Sequence, residues 1–473
     1  MKRQLKLRWM KWCVLLLLLT WIMETVHNGI ELFIVTTTYS DHSRGTEPLP
    51  NRLSPRPTQR DVSLRSSRFQ GDKETIKVND IKLSHTIDQS EALLSEEEVN
   101  NVKQKVKQAN DDQLILNQET FGPILPNTTV LVVQVHKRLE NLRYLLETMK
   151  AVTGINETLV IFSHDLWDPA INALVRNIKD FRAMQMFFPF SIQLHAHTFP
   201  GIDPRDCARN TSRQSSGKCL GHPDTYGHYR EAPLTQIKHH WWWKIHRVFE
   251  EVRVTRESAG WVVFLEEDHY LAPDLLHVLH RLLRDKDTLC RHCQVIALGN
   301  YNKLNGFLQR NTVTISDWLV TTHNLGYSLN RNAWNLIKEC RELFCTFDDY
   351  NWDWTLNKLV LYCTRPKLTM LGVSLSRVLH VGSCGTHTNR NACDTKSEVQ
   401  SAAKSYHANA QWLFPASLQV LNKAAISVKL VKPNGGWGDH RDHQLCRAIA
   451  SNTTAEDSLL SLKSIYQDKI AVT

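Results

Sequence analysis

From residue 129 onward, unbroken short hydrophobic runs alternate with helical stripes. TVLVVQVH (Thr129 to His136), TLVIFSHD (Thr158 to Asp165), WVVFL (Trp261 to Leu265) and QVIALG (Gln294 to Gly299) are apolar runs of strand length. Such runs belong to strands buried on both faces. Between the first two, Leu142, Leu145, Leu146 and Met149 share one face of a helix. Asp168-Pro169 opens another helix. TQIKHHWWWKIHRVFEEV reads as a third, with Trp241, Ile245, Val248 and Val252 at i, i+4, i+7, i+11 as a core stripe. Strands alternating with helices predict an α/β fold, a mostly parallel sheet covered on both faces. Ligands of such sheets bind beyond the carboxyl ends of the strands.

Upstream the pattern is different. An apolar run from Trp12 to Met23 follows a basic tail containing Lys2, Arg3, Lys6, Arg8 and Lys11. A membrane span needs about 17–25 residues, and a second stretch from Ile30 to Val35 extends the run. No small-residue cleavage site follows it, so we read residues 12–35 as an uncleaved signal anchor, with a cleaved signal peptide as the competing reading. Positive charge on the N-terminal side keeps residues 1–11 cytoplasmic and sends the rest into the lumen. Residues 36–119 are poor in aromatics and rich in Ser, Arg, Asp, Lys and Pro, the composition of a stem that cannot fold alone. Within it, Ser95 and Glu98 are spaced as the capping box of a short helix; the pattern leaves self-association of the chain open. Residues 120–473 are the expected globular domain.

Charge and cysteines refine this picture. The formal charge of +9 owes five units to the tail, leaving +4 for the rest. With no basic face or run in the globular part, nucleic-acid binding is excluded. Of eleven cysteines, Cys13 lies in the anchor and the other ten fall between Cys207 and Cys446. An even set confined to the globular part fits disulfides in an oxidising lumen. Asn127, Asn156, Asn210 and Asn452 each begin an N-x-[ST] sequon.

The strongest chemical signal is Glu266-Glu267-Asp268-His269, where five apolar residues lead directly into three carboxylates. Acids are seldom buried unpaired. The strand therefore delivers them to its exposed end, as a solvated acidic loop or as a site for a divalent cation bridging to a diphosphate. Walker A, G-x-G-x-x-G, H-E-x-x-H and G-x-S-x-G sequences are all absent, which removes P-loop enzymes, dinucleotide dehydrogenases, zincins and serine hydrolases. Gln134, His136, Lys137 and Arg138 close the first strand, and His164-Asp165 closes the second. Gln236 and His240 sit one turn apart at the start of the tryptophan-rich helix. DDYNWDW (Asp348 to Trp354) mixes acids and aromatics, as a sugar site or a structural tryptophan cluster. Taken alone, His380 in RVLHVGSCGTH reads as a satisfied histidine.

FLEEDHYLAPD, YREAPLTQIKHHWWWK, FPFSIQL, DPRDC, TFDDYNWDWTL and NGGWGDHRDH, from about Val130 to Cys446, together resemble the N-acetylglucosaminyltransferase II family. The resemblance implies a GT-A glycosyltransferase fold with a Rossmann-like sheet, and Mn2+ as cofactor. It implies Asp268 and His380 as the metal ligands and Asp353 as the catalytic base. Donor contacts are implied at Gln134, Val135, His136, Lys137, Arg138, Asp165, Gln236, Ile237, Lys238, His239, His240, Glu266 and Glu267. It implies the disulfides Cys207–Cys219, Cys290–Cys293, Cys340–Cys363, Cys345–Cys446 and Cys384–Cys393. The implied reaction moves GlcNAc from UDP-GlcNAc to O2 of the α1,6-arm mannose of an N-glycan, with inversion, at the Golgi membrane. Another luminal GlcNAc-transferase with a different acceptor arm, or an inactive lectin-like relative, are the alternatives. Lys137 and the stretch from Asn302 to Thr314 depart from the family pattern.

Overall fold

The computed structural model describes residues 94–212, 216–301, 304–382, 394–421 and 432–451, all within one compact unit. The expected anchor at 12–35, Cys384–Cys393 and Asn452 lie outside the described residues. Among those described, no helix is long and apolar enough to cross a membrane.

The chain opens with α1 (Glu96–Asp112), capped as its sequence predicts: Ser95 Oγ accepts from the Glu98 N–H, and Glu98 returns a bond to the Ser95 N–H. Then come β1 (Ile115–Leu116), β2 (Val130–Val135), α2 (Leu139–Lys150), β3 (Leu159–His164), α3 (Pro169–Arg176) and β4 (Arg182–Phe187). The long α4 (Ala232–Glu250) precedes β5 (Val262–Glu266), β6 (His269–Leu271), α5 (Leu275–Cys290) and β7 (Val295–Ala297). Next are β8 (Thr312–Asp317), β9 (Tyr327–Leu329), α6 (Arg331–Glu339), α7 (Arg341–Thr346) and α8 (Trp352–Tyr362). The chain continues through β10 (Thr369–Val373), β11 (Val378–His380), α9 (Thr395–Ala408), β12 (Gln419–Val420) and α10 (His440–Ile449).

The main sheet is ten-stranded, in the order β1-β4-β3-β2-β5-β9-β7-β10-β8-β12. Its heart is the parallel block β4-β3-β2-β5, in which β2, β3 and β5 come from the apolar runs read in the sequence and β4 does not. Beyond β5 the sheet is mixed, because β9 runs antiparallel to both β5 and β7, and β8 antiparallel to β10. One face of the block, with Leu131, Val133, Phe162 and Leu265, packs on α2 and α5; the other, with Val132, Ile161 and Phe264, packs on Trp241, Trp242 and Ile245 of α4. Each strand is thus buried on both sides, which is why the runs are continuous rather than alternating. A separate antiparallel pair joins β6 to β11.

The expected stem reaches residue 119, yet its final part belongs to the folded unit. Val106 of α1 is buried with Phe187 and Leu194, and β1 pairs antiparallel with the edge of β4. Composition misses this because only Val106 and Asn110 of the helix are fully buried, too little apolar surface to register in a window average.

Among the described residues four disulfides are closed: Cys207–Cys219, Cys290–Cys293, Cys340–Cys363 and Cys345–Cys446. The last ties α7 to α10. Asn127, Asn156 and Asn210 are all exposed.

Candidate active site

Parallel strands end together, and here the ends of β2, β3 and β5 carry the polar residues. In register, Gln134 lies beside Glu266, and Val135 beside His164. The turn after β2 presents His136, Lys137 and Arg138. Arg138 grips both neighbouring acids: its Nε donates to Glu267 at 2.7 Å and its Nη1 to Asp268 at 2.8 Å. Glu267 also accepts from the His136 backbone N–H at 2.8 Å.

Asp268 is almost completely buried. Its Oδ2 lies 3.2 Å from Nε2 of His380, delivered from the far end of the chain by β11. Although burial opposes it, the His380 hydrogen bond and the Arg138 charge hold the Asp268 carboxyl well below the usual range. The same bond raises His380, against burial. Oδ1 of Asp268 is buried and has no hydrogen-bond partner. A Cβ on Gly382 would come within 2.5 Å of Asp268 Oδ2, so only glycine leaves room beside the carboxylate. A carboxylate and an imidazole in contact, with one carboxylate oxygen unspent, form a donor set that suits Mn2+ or a similar divalent ion. Glu266 and His269 also offer ligand atoms within the same small cluster, although His269 Nδ1 accepts from the Glu266 N–H at 3.1 Å. The other cluster of metal-ligand type, Cys290, His292 and Cys293, has both cysteines in a disulfide and no thiolate to offer.

Next to this lies a hydrogen-bonded cluster of polar side chains. Asp165 Oδ1 is 2.7 Å from His136 Nδ1, and its Oδ2 accepts from Gln236 Nε2 at 3.1 Å. Gln236 is oriented by the Ile192 N–H, which donates to its Oε1 at 2.6 Å. His240 places Nε2 at 2.8 Å from Ser163 Oγ. Burial pushes Asp165 up, but the charge and hydrogen bond of His136 prevail, with His240 Nδ1 3.7 Å away, and hold its carboxyl well below the usual range; Asp165 in turn raises His136.

Of the helix residues, Gln236 and His240 face this cluster, while Lys238 and His239 do not. Lys238 donates to the carbonyls of Phe347 and Asp349 and sits 4.1 Å from the Trp437 ring centroid. His239 bonds Asp442 at 3.0 Å. Ile237 packs partly buried against the core. Helical spacing explains the split, because positions 236 and 240 share a row and 238 and 239 lie off it. Val135 contributes its carbonyl to the Asp165 N–H, its side chain being buried in the core. Lys137 is exposed on the β2 turn.

Asp353 occupies the first turn of α8. Its Oδ1 accepts from the Trp354 N–H at 2.9 Å, and Oδ2 lies 3.4 Å from Asn324 Nδ2. Asn324 accepts from the Tyr301 hydroxyl at 2.8 Å. Burial first, then the negative charges of Glu266 and Asp353, push Tyr301 up to about 12. The other acids of that motif are structural. Asp348 stitches Thr225 and Trp437, and Asp349 stitches Asn351 and Asn434. Trp352 stacks on Trp241 at 4.9 Å between ring centroids. Sequence reasoning missed Tyr301, Asn324 and the buried Lys244. Of these only Lys244 left a signal, as the next member of the 236, 240 row.

A family model described as N-acetylglucosaminyltransferase II (MGAT2) matches residues 103–446. Alpha-1,6-mannosyl-glycoprotein 2-beta-N-acetylglucosaminyltransferase of Sus scrofa is 42% identical over 348 residues, covering 72% of this chain and 78% of that protein. The Rattus norvegicus protein of that name is 44% identical over 72% of this chain and 79% of its own length. The Arabidopsis thaliana one is 33% identical over 71% and 77%. Among solved structures, glucosyl-3-phosphoglycerate synthase from Mycobacterium tuberculosis with Mn2+ and UDP covers 60% of this chain and 80% of its own, at 10% identity and a TM-score of 0.26. At that score the likeness carries no argument.

Proposed function

The chain belongs to the N-acetylglucosaminyltransferase II family, and from that premise we propose that it transfers GlcNAc from UDP-GlcNAc to O2 of the α1,6-arm mannose of an N-glycan, forming a β1,2 linkage in complex N-glycan synthesis. The observation that carries this reading is the contact of Asp268 with His380 at the strand tips, beside a buried and unpartnered carboxylate oxygen. Asp353 is linked through Asn324 to Tyr301.

We read the domain as a GT-A fold, with the parallel block as its nucleotide-binding half. Asp268 and His380 would hold Mn2+, and Glu266 offers a further carboxylate in the same cluster. When bound, the ion supplies positive charge against the diphosphate leaving group. His136, Asp165, Gln236 and His240 receive the nucleoside, and Arg138 holds Glu267 and Asp268 in place beside it. Asp353 accepts the proton of the mannose 2-hydroxyl as that oxygen bonds to the anomeric carbon and the bond from that carbon to UDP breaks. The site needs no second carboxylate as nucleophile, which fits single displacement and inversion from an α-linked donor to a β-linked product. Localisation follows the basic tail and apolar run: a single-pass type II protein of the Golgi membrane, luminal beyond the anchor, with Asn127, Asn156 and Asn210 open to glycosylation.

Two measurements test the reading. Transfer to mannose-terminated N-glycans with a free α1,6 arm should require Mn2+ and stop with EDTA. Asp353→Asn should keep UDP affinity and lower turnover by about 10²–10⁴-fold. Near-normal turnover in that variant removes Asp353 as the base; transfer only to the α1,3 arm assigns the chain to a different acceptor.

A further inference from the structure

Lys244 stands out on α4. The helix face that meets the sheet is mostly apolar, with His240 on Ser163 as another polar contact, yet this ammonium is almost wholly buried there. Its Nζ donates to Gln134 Oε1 at 2.7 Å and lies 5.9 Å from the Phe264 ring centroid. A methionine would fill such a position without the desolvation that a buried charge incurs, so the lysine calls for a reason.

The ladder supplies one. Gln134 and Glu266 are register partners on parallel β2 and β5, so both leave the sheet on the same face. Val132 and Phe264, two residues earlier on that face, pack on Trp241, Trp242 and Ile245. Lys244 therefore closes the last row of the core where it opens into the site. Each other acid there has a cation or a histidine in hydrogen-bond contact: Arg138 on Glu267 and Asp268, and His136 on Asp165. Next to Glu266 the cation is Lys244, bonded to Gln134, the register partner of Glu266. An ammonium only donates. The amide of Gln134 must then turn its oxygen inward, and its N–H2 group is left for the ligand side.

Resting on the donor-site reading above, we propose that Lys244 is a positioning residue of the nucleotide-sugar site: it fixes the orientation of the Gln134 amide and sets a positive charge beneath Glu266, so that three consecutive acids accept an anionic diphosphate. Burial lowers Lys244 to about 8, against the pull of Glu266.

The test is UDP binding by titration calorimetry with Mn2+ present, on the full-length chain, for wild type, Lys244→Met, Gln134→Leu and the double variant. Lys244→Met should weaken UDP by about tenfold or more, the scale of a hydrogen bond to a charged group. Gln134→Leu should weaken it as well, and the double variant should lose little beyond the worse single one, because the two residues act as one unit. The KM for the glycan acceptor should stay put, which a general loosening of the core would not allow. UDP affinity within about twofold of wild type in either single variant, or losses that simply multiply, overturns the proposal. Should Lys244→Met not fold, Lys244→Gln is read by the same criteria. Failure of the wild type to bind UDP sinks the donor reading itself.

Discussion

Asn110 offers a direct test of where the folded unit begins. Strand β4 is a sheet edge, and β1 covers it only at Ala183 and Met184. Further along, the Asn110 amide takes the place of a strand: Nδ2 donates to the Phe187 carbonyl at 2.7 Å, and Oδ1 accepts from the Phe187 N–H at 2.9 Å. The whole arrangement is buried. Asn110→Ala removes both bonds and leaves a buried N–H and a buried carbonyl unsatisfied. At about 1 kcal/mol for each bond, more where the stranded group stays dry, the loss is about 2–3 kcal/mol. Domains of 150–250 residues move about 2–4 °C per kcal/mol and larger ones less, so the melting midpoint should fall by about 4 °C. Asn110→Asp should do no better, because a carboxylate cannot donate to the Phe187 carbonyl. Thermal unfolding of the full-length chain, followed by circular dichroism, gives the answer. A shift below about 1 °C for Asn110→Ala would mean that α1 is not anchored as described.

Three further outcomes are expected. Asp268→Asn should weaken Mn2+ binding, measured by electron paramagnetic resonance without donor, by more than the roughly 10–100-fold that removal of a supporting group costs a metal site. His136→Ala should be less stable than wild type chiefly at low pH. Asp165 raises His136 from its usual 6.5, so the pair's contribution is fully present below 6.5 and is lost as pH rises through the raised value; melting curves across that window should converge. Cys345→Ser opens a link between residues 101 positions apart and should cost about 2–5 kcal/mol in denaturant unfolding.

The parallel block was legible because strands buried on both faces leave unbroken apolar runs, and β2, β3 and β5 fall within a residue of those runs. The capping box at Ser95 was legible because its two bonds need only two residues at fixed spacing. The mixed half of the sheet was not. β9 has three residues, and its antiparallel pairing with β5 and β7 depends on the path of the chain rather than on any local pattern. Lys244 escaped for a related reason: a lysine among tryptophans reads as the polar edge of a helix until the sheet is seen to cover it. Asp348 and Asp349 share a motif with Asp353 but are spent on backbone amides, a division that composition cannot make.

His380 shows most clearly what topology adds. Nothing in its surroundings in the sequence marks it, and it reaches Asp268 only because β11 pairs antiparallel with β6, His380 opposite His269. The Val381 N–H then donates to the Asp268 carbonyl at 2.9 Å, fixing the register at the acid itself. A slip of one residue would turn the imidazole to the opposite face of the ribbon and bring a side chain where Gly382 now leaves space. The three acids at the end of β5 therefore gain their meaning from a two-stranded ribbon outside the main sheet. The acidic loop meets its imidazole only once that ribbon is in register, and the sequence of the loop alone holds no record of it.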